Sequence, residues 1–141
     1  MLWYILLVTI MHRHTLAQSV HYRVEHEFEV VSLQDSRKGR WTVIGDFYGD
    51  PDAAVIDQQE QWVVMVGYGL IIYYLREPFL PYKYDLHNNQ WVEMFRNPKD
   101  IWWIEAVHQV SEDEVKLSVD PNSEQAGHYL LSMQNLSVSP I

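Results

Sequence analysis

The most apolar interior segment of the chain, residues 62–75, reads WVVMVGYGLIIYYL, with a glycine on each side of Tyr68. As a helix this segment would be only ~21 Å long at 1.5 Å per residue, shorter than the ~30 Å hydrocarbon core of a bilayer. No run of ~20 apolar residues occurs elsewhere in the chain. A membrane span and a pore are therefore excluded, and the segment has to be the interior of a folded domain.

Valine, isoleucine, tyrosine and tryptophan dominate this segment, and such residues suit the pleated surface of a sheet. They predict two strands, over residues 62–66 and 70–75. Gly67 and Gly69 can adopt positive φ, so the triplet forms either a three-residue hairpin turn or a bulge in one bent strand. Because neither strand alternates between polar and apolar residues, both faces are expected to be buried, in the middle of the sheet.

Short strand-like segments recur along the rest of the chain, separated by turn signals. About ten strands are predicted in all, among them residues 41–44, 82–86, 90–95, 101–107, 115–119 and 128–133. The sequence therefore predicts one mainly β domain over residues 1–141, an antiparallel sheet folded as a sandwich or strongly curved. At most one short helix is expected, over residues 51–59, because Asp50 suits the N-cap and Pro51 the first helical position.

The charge balance constrains the partner. The chain has 10 Lys and Arg against 19 Asp and Glu, a formal net charge of −9. This excess repels nucleic-acid phosphates and anionic lipid surfaces, so neither nucleic acid nor a membrane is expected as a partner. A basic protein is the expected partner, since complementary charge accelerates encounter and buried aromatic anchors slow release. The oligomeric state stays open.

Residues 23–31 show the cleanest alternation of polar and apolar side chains, which predicts a half-buried strand. Its polar face carries Arg23, Glu25, Glu27 and Glu29, and its apolar face carries Val24, His26, Phe28 and Val30. Carboxylates spaced two residues apart repel one another, so this face should be solvated or matched by a cationic neighbour. With a second acidic segment further on, the predicted partner-binding residues are Glu25, Glu27, Glu29, Asp46, Asp50, Asp52 and Asp57.

No motif for a cofactor, metal or catalytic site is complete. The chain has no cysteine, and although His12 and His14 have ligand-like spacing, no third and fourth ligand follows at a recognisable distance. A calcium loop starting at Asp50 fails, because Val55 lies where glycine is required and Gln61 where glutamate is required. Paired carboxylates that meet only in the fold stay open as glycoside-hydrolysis residues. Since no set of metal ligands is complete, we expect no metal and no cofactor. Since no nucleophile motif is present, we also expect no enzymatic activity.

The first residues of the sequence, MLWYILLVTIM, allow two interpretations. A secretory signal would place its apolar region at residues 2–11 and its cleavage site after Ala17. Against a signal, no Lys or Arg precedes the apolar run, and Arg13 lies where a neutral segment belongs. We therefore expect a buried first strand and a cytoplasmic protein, whereas cleavage after residue 17 would make the protein periplasmic.

Exposed aromatic residues suggest an alternative function. The pairs Trp102-Trp103 and Tyr73-Tyr74 carry rings suited to stacking on sugars, although adjacent residues of a strand point to opposite faces and half of them should be core. Basic residues are not interleaved with these rings, which disfavours single-stranded nucleic acid. A carbohydrate-binding or small-molecule-binding β module is therefore the alternative to a protein-binding protein.

The middle third of the chain has a characteristic arrangement of glycine and aromatic residues with a few leucine, proline and glutamine residues between them. Its members are Trp62, Gly67, Tyr68, Gly69, Leu70, Tyr73, Leu75, Pro78, Phe79, Tyr82, Gln90, Trp91 and Trp102. This arrangement resembles small bacterial proteins encoded beside secreted polymorphic toxins, the immunity proteins. The resemblance implies a cytoplasmic inhibitor that blocks a cognate toxin by direct contact. It implies no role for any individual residue.

Residues 84–91, YDLHNNQW, are similar to the outer hairpin of a kelch-type propeller blade. That hairpin pattern recurs nowhere else in the sequence, and a chain of this length holds at most about three blades. A complete propeller is therefore not expected.

Overall fold

The computed structural model describes residues 13–141, and these residues form twelve β-strands and no helix. The mainly β fold predicted from the sequence is thus confirmed. The strands form three four-stranded antiparallel sheets rather than one sheet. Within the described range no helix is long and apolar enough to cross a membrane. The expectations for a signal or strand at residues 2–11, and for His12, concern residues outside that range.

The first sheet is a meander in which each strand pairs with the next one in the chain. Its strands are β1 (Arg13–Gln18), β2 (Tyr22–Glu27), β3 (Val30–Asp35) and β4 (Arg40–Asp46). Along β2, Val24 and His26 are buried, whereas Arg23 is exposed and Glu25 and Glu27 are partly exposed. The period-two alternation therefore has the effect that the sequence predicts, with carboxylates on the outer face of the sheet.

The alternation over residues 23–31 belongs to a hairpin, so the prediction of one continuous strand is wrong. Strand β2 ends at Glu27, the chain reverses in a two-residue turn at Phe28 and Glu29, and β3 begins at Val30. Two-residue hairpin turns usually contain glycine, asparagine or aspartate. Because this turn contains none of them, the sequence pattern gives no signal for it.

The central sheet contains the apolar segment and has the strands β5 (Ala53–Ile56), β6 (Trp62–Gly67), β7 (Gly69–Tyr74) and β8 (Trp91–Met94). Strands β6 and β7 occupy its two inner positions and are joined at Tyr68. Their predicted central place is confirmed, and of the two forms that the sequence allows the hairpin is the one present. Every residue of β6 is buried, and so is every residue of β7 except Tyr74.

The short helix predicted over residues 51–59 is wrong, because β5 lies there as an edge strand of the central sheet. Ala54 and Ile56 belong to the core on the side of the first sheet, whereas Ala53 and Val55 pack against the core on the side of the third sheet. Burial of alternate residues on opposite faces requires the period-two geometry of a strand. This tertiary demand outweighs the local N-cap signal.

The third sheet is again a meander, with the strands β9 (Ile104–Ser111), β10 (Glu114–Val119), β11 (Gly127–Ser132) and β12 (Val138–Pro140). The predicted strands over residues 101–107, 115–119 and 128–133 overlap β9, β10 and β11. Strand β12 was not predicted, since it has three residues and includes a proline, which is rare in sheets. Residues 82–86, in contrast, form no strand, so no kelch-like hairpin exists there.

The central sheet lies between the other two sheets and shares a core with each. The core on the side of the first sheet includes Val24, Leu33, Ile44, Val63, Met65, Ile71 and Tyr73. The core on the side of the third sheet includes Val64, Val66, Leu70, Ile72, Ile104, Leu117 and Leu131. Strand β1 contacts β5, and β5 contacts β9, so the first strands of the three sheets lie side by side.

The turn between β6 and β7 requires glycine at position 69 for two reasons. The φ angle of Gly69 is +77°, in the region that side chains disfavour. A Cβ atom at this position would also lie 2.2 Å from Cγ of Arg96 and 2.8 Å from the carbonyl oxygens of Met94 and Phe95. Gly49 has a similar φ of +82°, yet a Cβ atom there would meet nothing within 4 Å.

We expect Gly69→Ala to lower the free energy of unfolding by about 2–5 kcal/mol, combining about 1–2 kcal/mol of backbone strain with about 1–3 kcal/mol of overpacking. The matched variant Gly49→Ala carries the backbone strain alone, so its loss should stay near 1–2 kcal/mol. Urea unfolding of both variants measures the difference. Equal losses would contradict the steric part of the argument.

Candidate functional site

A groove of about 580 Å³ lies on the outer face of the first sheet and at the β2–β3 turn. Four carboxylates line it, those of Glu25, Glu27, Glu29 and Asp46, and we call this surface the acidic groove. The fold thus brings four of the predicted partner-binding residues to one concave surface. Strand alternation places Glu25 and Glu27 there, while the reversal of the chain adds Glu29.

Two of these carboxylates have arginine neighbours. The sequence predicts that the acidic face is either solvated or matched by cationic neighbours, and this pairing is the second arrangement. Nη1 of Arg23 lies 3.6 Å from Oε1 of Glu25, and Nε of Arg13 lies 3.9 Å from Oε2 of Glu27. Both arginine side chains are almost half exposed. The Arg13–Glu27 pair is exposed on both sides, and exposed ion pairs contribute about 0–1 kcal/mol, so a cationic group from another molecule can replace Arg13 at little cost. The side chain of Glu25 is only 13% exposed and contributes its charge from a mostly buried position.

Phe28, also in the lining of the acidic groove, lies in the β2–β3 turn with 57% of its surface exposed and a φ of +52°. A left-handed backbone costs a residue other than glycine about 1–2 kcal/mol. Nδ1 of His26 donates a hydrogen bond to the carbonyl oxygen of Phe28 at 2.9 Å and helps to hold this conformation. Backbone strain of this kind concentrates at functional sites, so Phe28 is a candidate contact residue.

The loop after β4 is fastened to the β2–β3 turn by two hydrogen bonds to Glu29. The backbone N–H of Phe47 donates to its carbonyl oxygen, and the N–H of Gly49 donates to its carboxylate, both at 2.9 Å. These contacts bring Asp46 close to Glu29 and hold the loop that carries Tyr48. The side chain of Tyr48 extends into solvent, with the residue 73% exposed.

A second pocket, of about 360 Å³, adjoins the acidic groove and shares Glu29 and Asp46 with it. We call it the tyrosine pocket because Tyr48, Tyr68 and Tyr84 line it. The ring centroids of Tyr48 and Tyr68 lie 5.3 Å apart, with the planes inclined at 53°. Since these residues come from three separate loops, no local sequence pattern reveals the pocket.

Arg96 holds together the loops that carry two of these rings. Its Nη2 donates to the carbonyl oxygen of Asp46 at 2.7 Å, and its Nη1 donates to that of Tyr68 at 3.4 Å. Its Nε lies 3.4 Å from Oε1 of Glu93, in contact as an ion pair but without hydrogen-bond geometry. The guanidinium also lies over the ring of Phe47, at 4.8 Å from the centroid. We call this set of contacts the Arg96 clamp.

No protein-family model, no curated protein and no solved structure matches the chain. The function has to be argued from the site itself, because a fold alone does not specify one.

Asp57 does not belong to the acidic surface, which corrects the sequence-based prediction. It is 3% exposed and lies at the opposite end of the central sheet from the β6–β7 turn. Its carboxylate accepts hydrogen bonds from Nε2 of Gln109 at 2.8 Å and from the backbone N–H of Gln61 at 3.2 Å. Asp57 therefore joins the central sheet to the third sheet and is out of reach of a partner.

Asp50 and Asp52 are exposed, as predicted, but neither lines the acidic groove or the tyrosine pocket. Partial desolvation of its carboxyl, followed by the nearby carboxylates of Glu105 and Asp50, raises the pKa of Asp52 above its usual range although the residue reaches solvent. The charged form of Asp52 is thus disfavoured in the folded protein.

Three histidines of the described chain make contacts of a structural kind. Nδ1 of His21 lies 2.6 Å from Oε1 of Glu60, and the rings of His14 and His26 lie 5.3 Å apart. Between residues 13 and 141 no group of three or more His, Asp or Glu side chains is arranged to hold a metal ion.

We expect Asp52→Asn to stabilise the fold at neutral pH, because asparagine removes a charge that is disfavoured first by desolvation and then by repulsion from Glu105 and Asp50. A raised carboxyl pKa contributes stability below the unfolded value of 3.8, and this contribution is lost as the pH rises through the folded value. The advantage of asparagine should therefore shrink towards zero near pH 3, where both states are protonated. Urea midpoints at about pH 3 and pH 7 measure it, and a gain of the same size at both would contradict the charge argument.

Proposed function

We propose that the chain is a non-enzymatic protein-binding protein, a bacterial immunity protein that neutralises a cognate toxin by direct contact in the cytoplasm. The observation that carries the proposal is the acidic groove, in which four carboxylates surround two exposed aromatic side chains. These are Phe28 and Trp41, the latter 37% exposed on β4. The net charge of −9 and the resemblance of the middle third to immunity proteins support the same proposal.

The groove has the two properties that a tight protein contact needs. The carboxylates of its lining would attract a basic partner over a distance and raise the association rate. The aromatic side chains of its lining would become buried anchors in the complex, and such anchors dominate binding energy at interfaces and slow dissociation. Because Glu27 is paired with an exposed arginine, a lysine or arginine side chain of the partner can take over this pair, and the mostly buried Glu25 adds negative charge beside it.

A carbohydrate-binding function is the alternative, and one observation favours it. Tyr48 and Tyr84 are 73% and 69% exposed beside the carboxylates of the tyrosine pocket. Aromatic faces next to hydrogen-bonding groups are a common arrangement for small-ligand recognition. Quenching of tryptophan fluorescence by oligosaccharides, with binding to a glycan array, would favour this alternative over a protein partner.

We expect a pull-down from the native host to recover one dominant basic protein, bound more weakly as salt rises because the attraction is electrostatic. The double variant Glu25→Lys/Glu27→Lys should weaken this binding by at least about tenfold, since two interfacial pairs become repulsive. Calorimetry with the purified partner at low and high salt measures both effects.

The control for this experiment is Glu112→Lys/Asp113→Lys, which changes the net charge equally in the exposed β9–β10 turn, on the third sheet. It should keep most of the affinity. Equal weakening by both double variants would show that only net charge matters, and salt-independent binding would contradict the proposal.

We expect Phe28→Gly to separate stability from binding. Glycine relieves about 1–2 kcal/mol of backbone strain but adds about 0.5–1 kcal/mol of unfolded-state entropy, so the free energy of unfolding should stay unchanged or rise slightly. Affinity for the basic partner should fall, because an aromatic anchor is lost. Urea unfolding and calorimetry give the two values. A loss of stability above about 2 kcal/mol would assign the ring to packing instead.

A further inference from the structure

We propose that the tyrosine pocket receives a lysine or arginine side chain of the basic partner and so anchors the complex beside the acidic groove. This inference rests on the proposed function and names the chemical group that the partner has to present. Three features of the pocket support it: its ring faces, its carboxylates and the state of its own arginine.

The ring faces favour a cation. The face of a tyrosine ring carries negative electrostatic potential and attracts an ammonium or guanidinium group within about 6 Å. Tyr48 and Tyr68 present two inclined rings, and Tyr84 lines the same pocket while 69% exposed. These two rings pack on each other, so a cation enters beside the pair, where the exposed rings of Tyr48 and Tyr84 belong to the same lining.

The carboxylates of the pocket also favour a cation, because they carry negative charge and can accept hydrogen bonds. Glu29 uses one oxygen to accept from Gly49, and a carboxylate has about four acceptor positions, so capacity for further donors remains. Asp46 is exposed at the boundary with the acidic groove. A guanidinium held against a ring face of this pocket can therefore donate to a carboxylate as well, which is the stronger class of hydrogen bond.

Arg96 makes the pocket unsuited to an anion although it contributes a cation to the lining. Its two terminal nitrogens donate to backbone carbonyls, and Glu93 lies 3.4 Å from Nε and offsets the charge. The guanidinium also packs over Phe47, with the side chain only 11% exposed. Arg96 is thus committed to the clamp, and the accessible chemistry of the pocket is that of tyrosine and carboxylate.

The test is an NMR titration of the full chain with a hexa-arginine peptide, with an uncharged hexasaccharide, maltohexaose, as the second probe. The peptide should shift the ring resonances of Tyr48, Tyr68 and Tyr84, and maltohexaose should not. Tyr48→Leu and Tyr84→Leu keep the net charge and should each weaken peptide binding by about fivefold to tenfold. Tyr48→Phe keeps the ring and should bind like the wild type.

Two results would overturn the inference. Unchanged peptide affinity in both leucine variants would mean attraction by overall charge alone. Ring shifts with maltohexaose but not with the peptide would assign the pocket to carbohydrate.

Comparison with the partner experiment distinguishes this inference from the proposed function. If Glu25→Lys/Glu27→Lys loses the partner while Tyr48→Leu keeps it fully, the proposed function stands and the anchor pocket is refuted. If the peptide occupies the pocket but no basic protein is recovered from the host, the proposed function fails while the cation preference of the pocket is supported.

Discussion

Strands β6 and β7 have no solvent-facing side, so nearly all of their residues are apolar or glycine and need a sheet packed on each face. The first and third sheets meet this need, and they complete two cores with the two faces of one hairpin. Each fully buried aliphatic side chain contributes about 1.5–3 kcal/mol relative to exposure, so this hairpin dominates the stability of the fold. The outer faces of the flanking sheets remain open to carry polar groups.

Much of this fold follows from hydrophobic patterning. The central hairpin was predictable because fourteen residues without alternation, interrupted by glycines, indicate strands covered on both faces. The edge strand β5 could not be predicted in this way. Four residues are too few to show a periodicity, and they follow Asp50 and Pro51, which are typical of the start of a helix. The β2–β3 turn was missed for a related reason, since Phe28 occupies a backbone conformation that glycine or asparagine usually marks.

Only the part of the candidate site that lies on one face of a strand could be predicted from the sequence. Alternation along β2 identified Glu25 and Glu27, and the reversal at Phe28 brings Glu29 and Asp46 to the same groove. Asp57 has the same side chain, but its position at the junction of two sheets buries it against Gln109. The tyrosine pocket joins residues from loops that are far apart in the sequence. No motif and no regular spacing connects these residues, so the sequence alone does not predict that they meet.

In the Arg96 clamp, the guanidinium donates hydrogen bonds to the backbone carbonyl oxygens of residues 46 and 68 and not to their side chains. Any amino acid supplies a carbonyl oxygen, so both hydrogen bonds of Arg96 remain possible whichever residues occupy those two positions. Exchange of Asp46 or Tyr68 would therefore change the lining of the pocket without removing its fastening to Arg96. The pocket thus combines a lining that substitution can vary with a frame that depends on main-chain atoms.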